Sequence, residues 1–131
     1  MGSDAGPYQA QILDHYKHPH NRGVLDPATH RANESNPLCG DAIALTLRVD
    51  GSNHIEDVRF EGEGCAICMA SASLLTDAVK GKPLDEALAL ERAAVLKALG
   101  VPLSAVREQC ALLPLKALQS ALRPPVTAQA H

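Results

Sequence analysis

Between Ala42 and Asp50 apolar and polar residues alternate. Ile43, Leu45, Leu47 and Val49 fall on one side, Ala44, Thr46 and Arg48 on the other. A period of two marks a strand with one buried face. Asp50-Gly51-Ser52-Asn53 is turn chemistry. His54 to Glu61 reads as a second strand with Val58 and Phe60 inward. Ile55 is out of phase with them, which predicts a bulge. The pair forms an antiparallel hairpin.

The flanks read differently. Pro7 suits a helix first turn, and Tyr8, Ile12 and Tyr16 recur every fourth residue on one face. Pro19, Asn21 and Gly23 stop that helix. Residues 18–38, rich in Pro, Asn, His and Gly, read as a long loop. After the hairpin the period lengthens. Ile67, Ala70, Ser71, Leu74, Leu75, Ala78 and Val79 mark a helix that ends at Gly81. A short helix starts at Pro83 with Leu84, Ala87 and Leu88, and another covers Ala93 to Leu99. The last is expected from about Leu112 to Leu122, with Pro114 acceptable only in its first turn. The fold class is thus α+β: a small antiparallel sheet, a hairpin with a third strand allowed for, packed against helices. One domain is expected over residues 1–131, with 1–6 and 123–131 as flexible ends.

Composition narrows the function. The chain has 131 residues, enough for a core without disulfide staples. With no Trp, one Phe and two Tyr, that core must be aliphatic. A net charge of −3 with mixed signs offers no basic face for nucleic acid. No apolar run approaches a membrane span and no signal peptide opens the chain, so the cytoplasm is expected. In that compartment four cysteines point to ligands or nucleophiles rather than disulfides. The six histidines show no paired metal spacing.

The candidate chemistry centres on Gly62-Glu63-Gly64-Cys65-Ala66-Ile67-Cys68, where strands give way to helices. Glycine lets backbone approach a bound group closely. A helix starting near Ala66 aims free N–H groups at Cys65 and favours its thiolate. Cysteine is also a small buried hydrophobe, and a lone C-x-x-C is common, so the stretch alone leaves both readings open. The hairpin adds geometry. Cys39 lies just before its first strand and Cys65 just after its second. Those points share one end of an antiparallel pair whose strands sit about 4.8 Å apart. Asp41, two residues after Cys39, can face the same way. Cys110, ahead of the last helix, is the fourth candidate. Three thiols and a carboxylate suit zinc, copper(I) or an iron–sulfur cluster, and not an oxygen-seeking metal.

These residues carry a resemblance. Ile12-Leu13-Asp14-His15-Tyr16-Lys17-His18-Pro19-His20-Asn21-Arg22-Gly23, Asn36-Pro37-Leu38-Cys39-Gly40-Asp41, Phe60-Glu61-Gly62-Glu63-Gly64-Cys65-Ala66-Ile67, Ala70-Ser71-Ala72-Ser73, Val79-Lys80-Gly81-Lys82 and Cys110 follow one another from end to end. The sequence resembles the U-type iron–sulfur scaffold family: IscU, SufU and the N-terminal domain of NifU. The resemblance implies a SufE/NifU-like fold. It also implies that Cys39, Asp41, Cys65 and Cys110 bind zinc or a transient [2Fe-2S] cluster. The implied partners are a cysteine desulfurase and iron–sulfur acceptor proteins.

The chain departs from the family in three places. Gln109 stands where IscU-type proteins have His and SufU-type proteins usually have Lys. Leu103-Ser104-Ala105-Val106-Arg107 lacks the prolines of the IscU chaperone motif, so a dedicated Hsp70 chaperone is not expected. Cys68 replaces a common Ser and reads as its buried isostere. The leading expectation is an assembly scaffold. The alternative is a zinc-dependent sulfurtransferase, ahead of a C-x-x-C oxidoreductase or a structural zinc domain. Cys110 is narrowly preferred to Cys39 as the sulfur acceptor: the short connection from Gly100 to Cys110 resembles IscU, while Arg107 and a helix N-terminus would favour its thiolate and Glu108 would oppose it.

Overall fold

The computed structural model describes the backbone of residues 6–123 and side chains from residue 10 onward. The elements run α1 (Gly6–Lys17), β1 (His30–Asn36), β2 (Asp41–Val49), β3 (Ile55–Glu63), α2 (Ala66–Val79), α3 (Leu84–Leu88), α4 (Arg92–Leu99) and α5 (Ala105–Leu122). Gly6 already belongs to α1. The rest of the expected loose start, the Tyr8 side chain and nearly all of the expected tail lie outside the described residues.

The hairpin forms as its alternation dictates. Leu45 pairs with Phe60 and Leu47 with Val58, all four fully buried or nearly so. The bulge falls where Ile55 left the pattern: Arg48 pairs with Asp57 but Val49 with Ile55, which skips Glu56 and turns Ile55 inward. A third strand, β1, runs antiparallel to β2 in the order β1-β2-β3. It lies within the stretch expected to be loop. Its residues His-Arg-Ala-Asn-Glu-Ser-Asn are almost all polar, so hydropathy carries no period there. The strand exists because β2 offers an open ladder and α5 packs against it.

Both faces of α2 are covered, by α1, α5 and β3, and small residues permit it. Ala70, Ser71, Ala72 and Ser73 are all buried. The main core joins Ile43, Leu45, Phe60 and Met69 to Leu115 and Leu118 of α5. A second cluster, Ile12, Ala70, Leu99 and Ala111, ties α1 and α4 to the same helices. Gly100 ends α4 in the left-handed conformation, at φ 73°.

The last helix begins a full two turns earlier than expected. Ser104 caps it, its hydroxyl accepting the Arg107 N–H at 3.2 Å. Pro114 therefore sits in the helix interior. Proline has no N–H and crowds the preceding turn, so carbonyls there lose helical partners. The carbonyl that loses its donor is that of Cys110, four residues before the proline; beside it, the Ala111 carbonyl accepts the Ser71 hydroxyl of α2 at 2.6 Å. The outer edge of β3 is closed as well. Phe60 exchanges backbone hydrogen bonds with Asn21 and Gly23 at 2.9 and 2.8 Å, and the Asp57 carboxylate accepts the Val58 N–H at 2.8 Å.

Candidate metal centre

One end of the sheet collects the chemistry. Asn36 closes β1 and pairs with Asp41, which opens β2; Ala42 pairs with Glu63, which closes β3. The turn between β1 and β2 is built by Asn36. Its backbone carbonyl accepts the N–H groups of Cys39 and Gly40 at 3.1 and 2.9 Å. Its side-chain oxygen accepts the Leu38 N–H at 3.1 Å, and its amide nitrogen lies 3.6 Å from Cys39 Sγ. Gly40 takes φ +72°, which residues with a Cβ rarely adopt. The result is a half-exposed Cys39 on a short, internally bonded turn.

Asp41 is 1% exposed. Its Oδ1 accepts the Cys65 N–H at 3.0 Å, and Oδ2 lies 3.9 Å from Cys65 Sγ. Cys65 is the N-cap of α2, and its own side chain makes no cap hydrogen bond. Asp41 thus takes up a free donor at the helix start from a neighbouring strand.

Cys110 lies on the second turn of α5, fully buried, with its Sγ 2.8 Å from Cys39 Sγ. The expectation that it precedes the helix is corrected: the helix starts at Ala105, so no free N–H group of its N-terminus reaches this thiol as a cap would. Burial pushes the Cys110 thiol well above its usual range, and its hydrogen bond with Cys39 adds to this. Arg107 lies one turn earlier, and its charged form is favoured by Cys65 first and by Cys110 less, through the thiolates these groups can form.

Ligand atoms of Cys39, Asp41 and Cys110 all lie within 4.8 Å of one another, and Cys65 adjoins Asp41. All four cysteines are free. The donor set fits a soft cation. The buried Cys110 thiol resists losing its proton, and a bound metal would supply the charge that lets it go. Cys65 falls outside that group of two sulfurs and one oxygen; with its sulfur added from beside Asp41, the set could hold zinc or an iron–sulfur cluster.

Cys68 is fully buried within the main core. Burial, then the nearby Asp41, Cys65 and Cys39, drive its thiol far from ionisation. Exchange between thiols and disulfides needs reachable sulfur, which removes the support for a Cys65–Cys68 redox pair. Sequence reasoning passed over Asn36 as a support for Cys39. Its Asn-Pro dipeptide, a turn initiator, was the available signal. It also passed over the Ser104 cap, whose position just before an apolar helix was legible.

Comparison with known proteins agrees with this geometry. The family model described as the NifU-like N-terminal domain matches residues 7–124. The zinc-dependent sulfurtransferase SufU of Bacillus subtilis is 49% identical over 85 residues, which are 65% of this chain and 56% of that protein. The chain thus spans little more than half the length of that relative. The iron–sulfur cluster assembly scaffold protein IscU of Aquifex aeolicus is 40% identical over 117 residues, covering 88% of this chain and 74% of that one. A crystal structure from Fervidobacterium islandicum AW-1, of a protein proposed as an iron–sulfur cluster assembly scaffold for the SUF system, superposes with a TM-score of 0.77. It is 29% identical and covers 86% of this chain and 94% of its own. With its model matched over nearly the whole chain and its ligand-type residues gathered at one sheet end, this protein belongs to the NifU-like N-terminal domain family.

Proposed function

We propose that this chain is an iron–sulfur cluster assembly scaffold. It accepts sulfur from a cysteine desulfurase, builds a [2Fe-2S] cluster on Cys39, Asp41, Cys65 and Cys110, and passes it to acceptor proteins. The observation that carries this reading is the convergence of Cys39, Asp41 and Cys110 within 4.8 Å, with Cys65 beside Asp41. Between loads, the same four groups suit zinc, which would keep the thiols deprotonated.

Sulfur arrives as the outer atom of a donor persulfide. A thiolate of this chain attacks that atom, the donor S–S bond breaks, and the donor leaves as a thiolate. Access and mobility decide which thiol attacks. Cys110 is fully buried on a helix, whereas Cys39 is half-exposed on a turn. That contrast supports Cys39 as the acceptor over the Cys110 preferred from sequence. Asn36 donates toward Cys39 Sγ and holds it in place. Arg107 supplies positive charge beside Cys65 and Cys110 for the incoming anion. Conversion of persulfide sulfur to sulfide needs two electrons per atom, from an external thiol or reduced carrier. Asp41, the one hard ligand among soft ones, is the weak attachment through which cargo is released.

The test is anaerobic reconstitution with iron, cysteine and a desulfurase, followed by absorbance and metal analysis. A chromophore with two irons and two sulfides per site supports the scaffold. Transfer of sulfur with zinc retained and no chromophore supports the second reading, a zinc-dependent sulfurtransferase. The half-exposed Cys39 favours that reading too.

A further inference from the structure

Gly64 lies between β3 and α2, directly before Cys65. Five other glycines, Gly23, Gly40, Gly62, Gly81 and Gly100, adopt positive φ angles; Gly64 does not. Its backbone conformation therefore does not call for glycine. Space does. A Cβ at Gly64 would stand 2.7 Å from Asp41 Oδ1, 3.0 Å from Asp41 Cγ and 3.2 Å from Asp41 Cβ. The nearest obstacles all belong to one side chain. Gly62 makes the contrast: a Cβ there would lie 2.0 Å from the Ala42 carbonyl oxygen, against backbone that the sheet holds in place.

We propose that Gly64 is a positioning residue for Asp41. Its missing side chain keeps open the space in which the carboxylate holds the Cys65 N–H through Oδ1 and presents Oδ2 toward the thiols. The ligand half of this proposal rests on the reading of Asp41 as the fourth ligand. The positioning half does not, because the hydrogen bond to Cys65 needs no metal. An alanine at position 64 displaces the Asp41 carboxylate while leaving the three ligand thiols and the strand pairing in place.

The experiment compares Gly64→Ala, Asp41→Ala and the double variant in the full chain. In metal-free protein, Gly64→Ala should move the Cys65 amide proton upfield and speed its exchange roughly tenfold, the loss of a hydrogen bond to a charged group. Asp41→Ala should do the same, and the double variant no more. With cobalt(II) as the probe, Gly64→Ala should keep the thiolate charge-transfer intensity and change the ligand-field bands as Asp41→Ala does. An unmoved Cys65 amide in Gly64→Ala, or effects that add in the double variant, overturns the proposal. If Gly64→Ala fails to fold, the double variant decides: removing the Asp41 carboxylate leaves only its Cβ, at 3.2 Å, to give way and should restore folding, and a double variant that also fails overturns the proposal. A shifted amide, together with cobalt bands that ignore Asp41→Ala, upholds the positioning and removes Asp41 from the ligand set.

Discussion

Asp41 Oδ1 accepts the Cys65 N–H at 3.0 Å while Asp41 Oδ2 lies 3.9 Å from Cys65 Sγ. One buried carboxylate thus serves the start of α2 and the thiol cluster together. With Asp41 as the proposed labile ligand, structure and lability are coupled at this residue, and its replacement should show both effects.

Asp41→Ala should retain a reconstituted cluster longer than the parent when an acceptor protein is added, because the hard ligand is gone. The same change should lower the stability of metal-free protein by about 1–2 kcal/mol, the usual worth of a lost cap. Cluster transfer followed by absorbance, with urea unfolding alongside, measures the two. Faster cluster loss than in the parent would contradict the labile-ligand role.

Cys39→Ser should abolish persulfide formation in zinc-loaded protein incubated with a desulfurase. Cys110→Ser should slow it less, since its thiol is buried behind the other. Mass spectrometry of the modified peptides reads this directly. Persulfide found on Cys110 at the parental rate in Cys39→Ser restores the acceptor preferred from sequence.

Cys68→Ser should leave zinc stoichiometry unchanged and sulfur acceptance within about twofold. The hydroxyl is similar in size, and Asp41, which lies near the thiol, offers a carboxylate acceptor for it. Loss of half the metal would show that Cys68 belongs to the ligand set.

Stability should fall as pH drops below about 6.5, the ordinary His value. Burial, and then the neighbouring His20, lower the pKa of His15, against opposing pulls from Asp77 and Asp14. Its Nδ1 lies 2.7 Å from Ser73 Oγ, which also accepts the His20 N–H at 2.8 Å. That leaves the hydroxyl proton for a neutral His15. The unfolded chain then binds a proton that the folded one resists, so acid favours unfolding from the unfolded value down to the lowered one. Urea midpoints between pH 7.5 and 5 check this. His15→Gln should flatten the slope, and an unchanged slope would assign it to other groups.

The hairpin, its bulge at Ile55 and the helix α2 were legible in the chain because each is written in local periodicity: a period of two, a break in it, then a period near four. The neighbourhood of Cys39, Asp41 and Cys65 followed from the hairpin, since antiparallel pairing returns the chain to the same sheet end. Tertiary structure decided the rest. β1 is polar on both faces, so only its pairing with β2 and cover by α5 make it a strand. Pro114 argued for a late helix start, yet α5 continues through it, held against α2 by the Ser71 hydroxyl on the Ala111 carbonyl. That continuation buries Cys110 inside the helix and leaves Cys39 the more accessible thiol. The space that Gly64 yields to Asp41 is likewise absent from any local pattern. Periodicity records which face of an element is buried; what stands opposite each residue is set only when the elements pack.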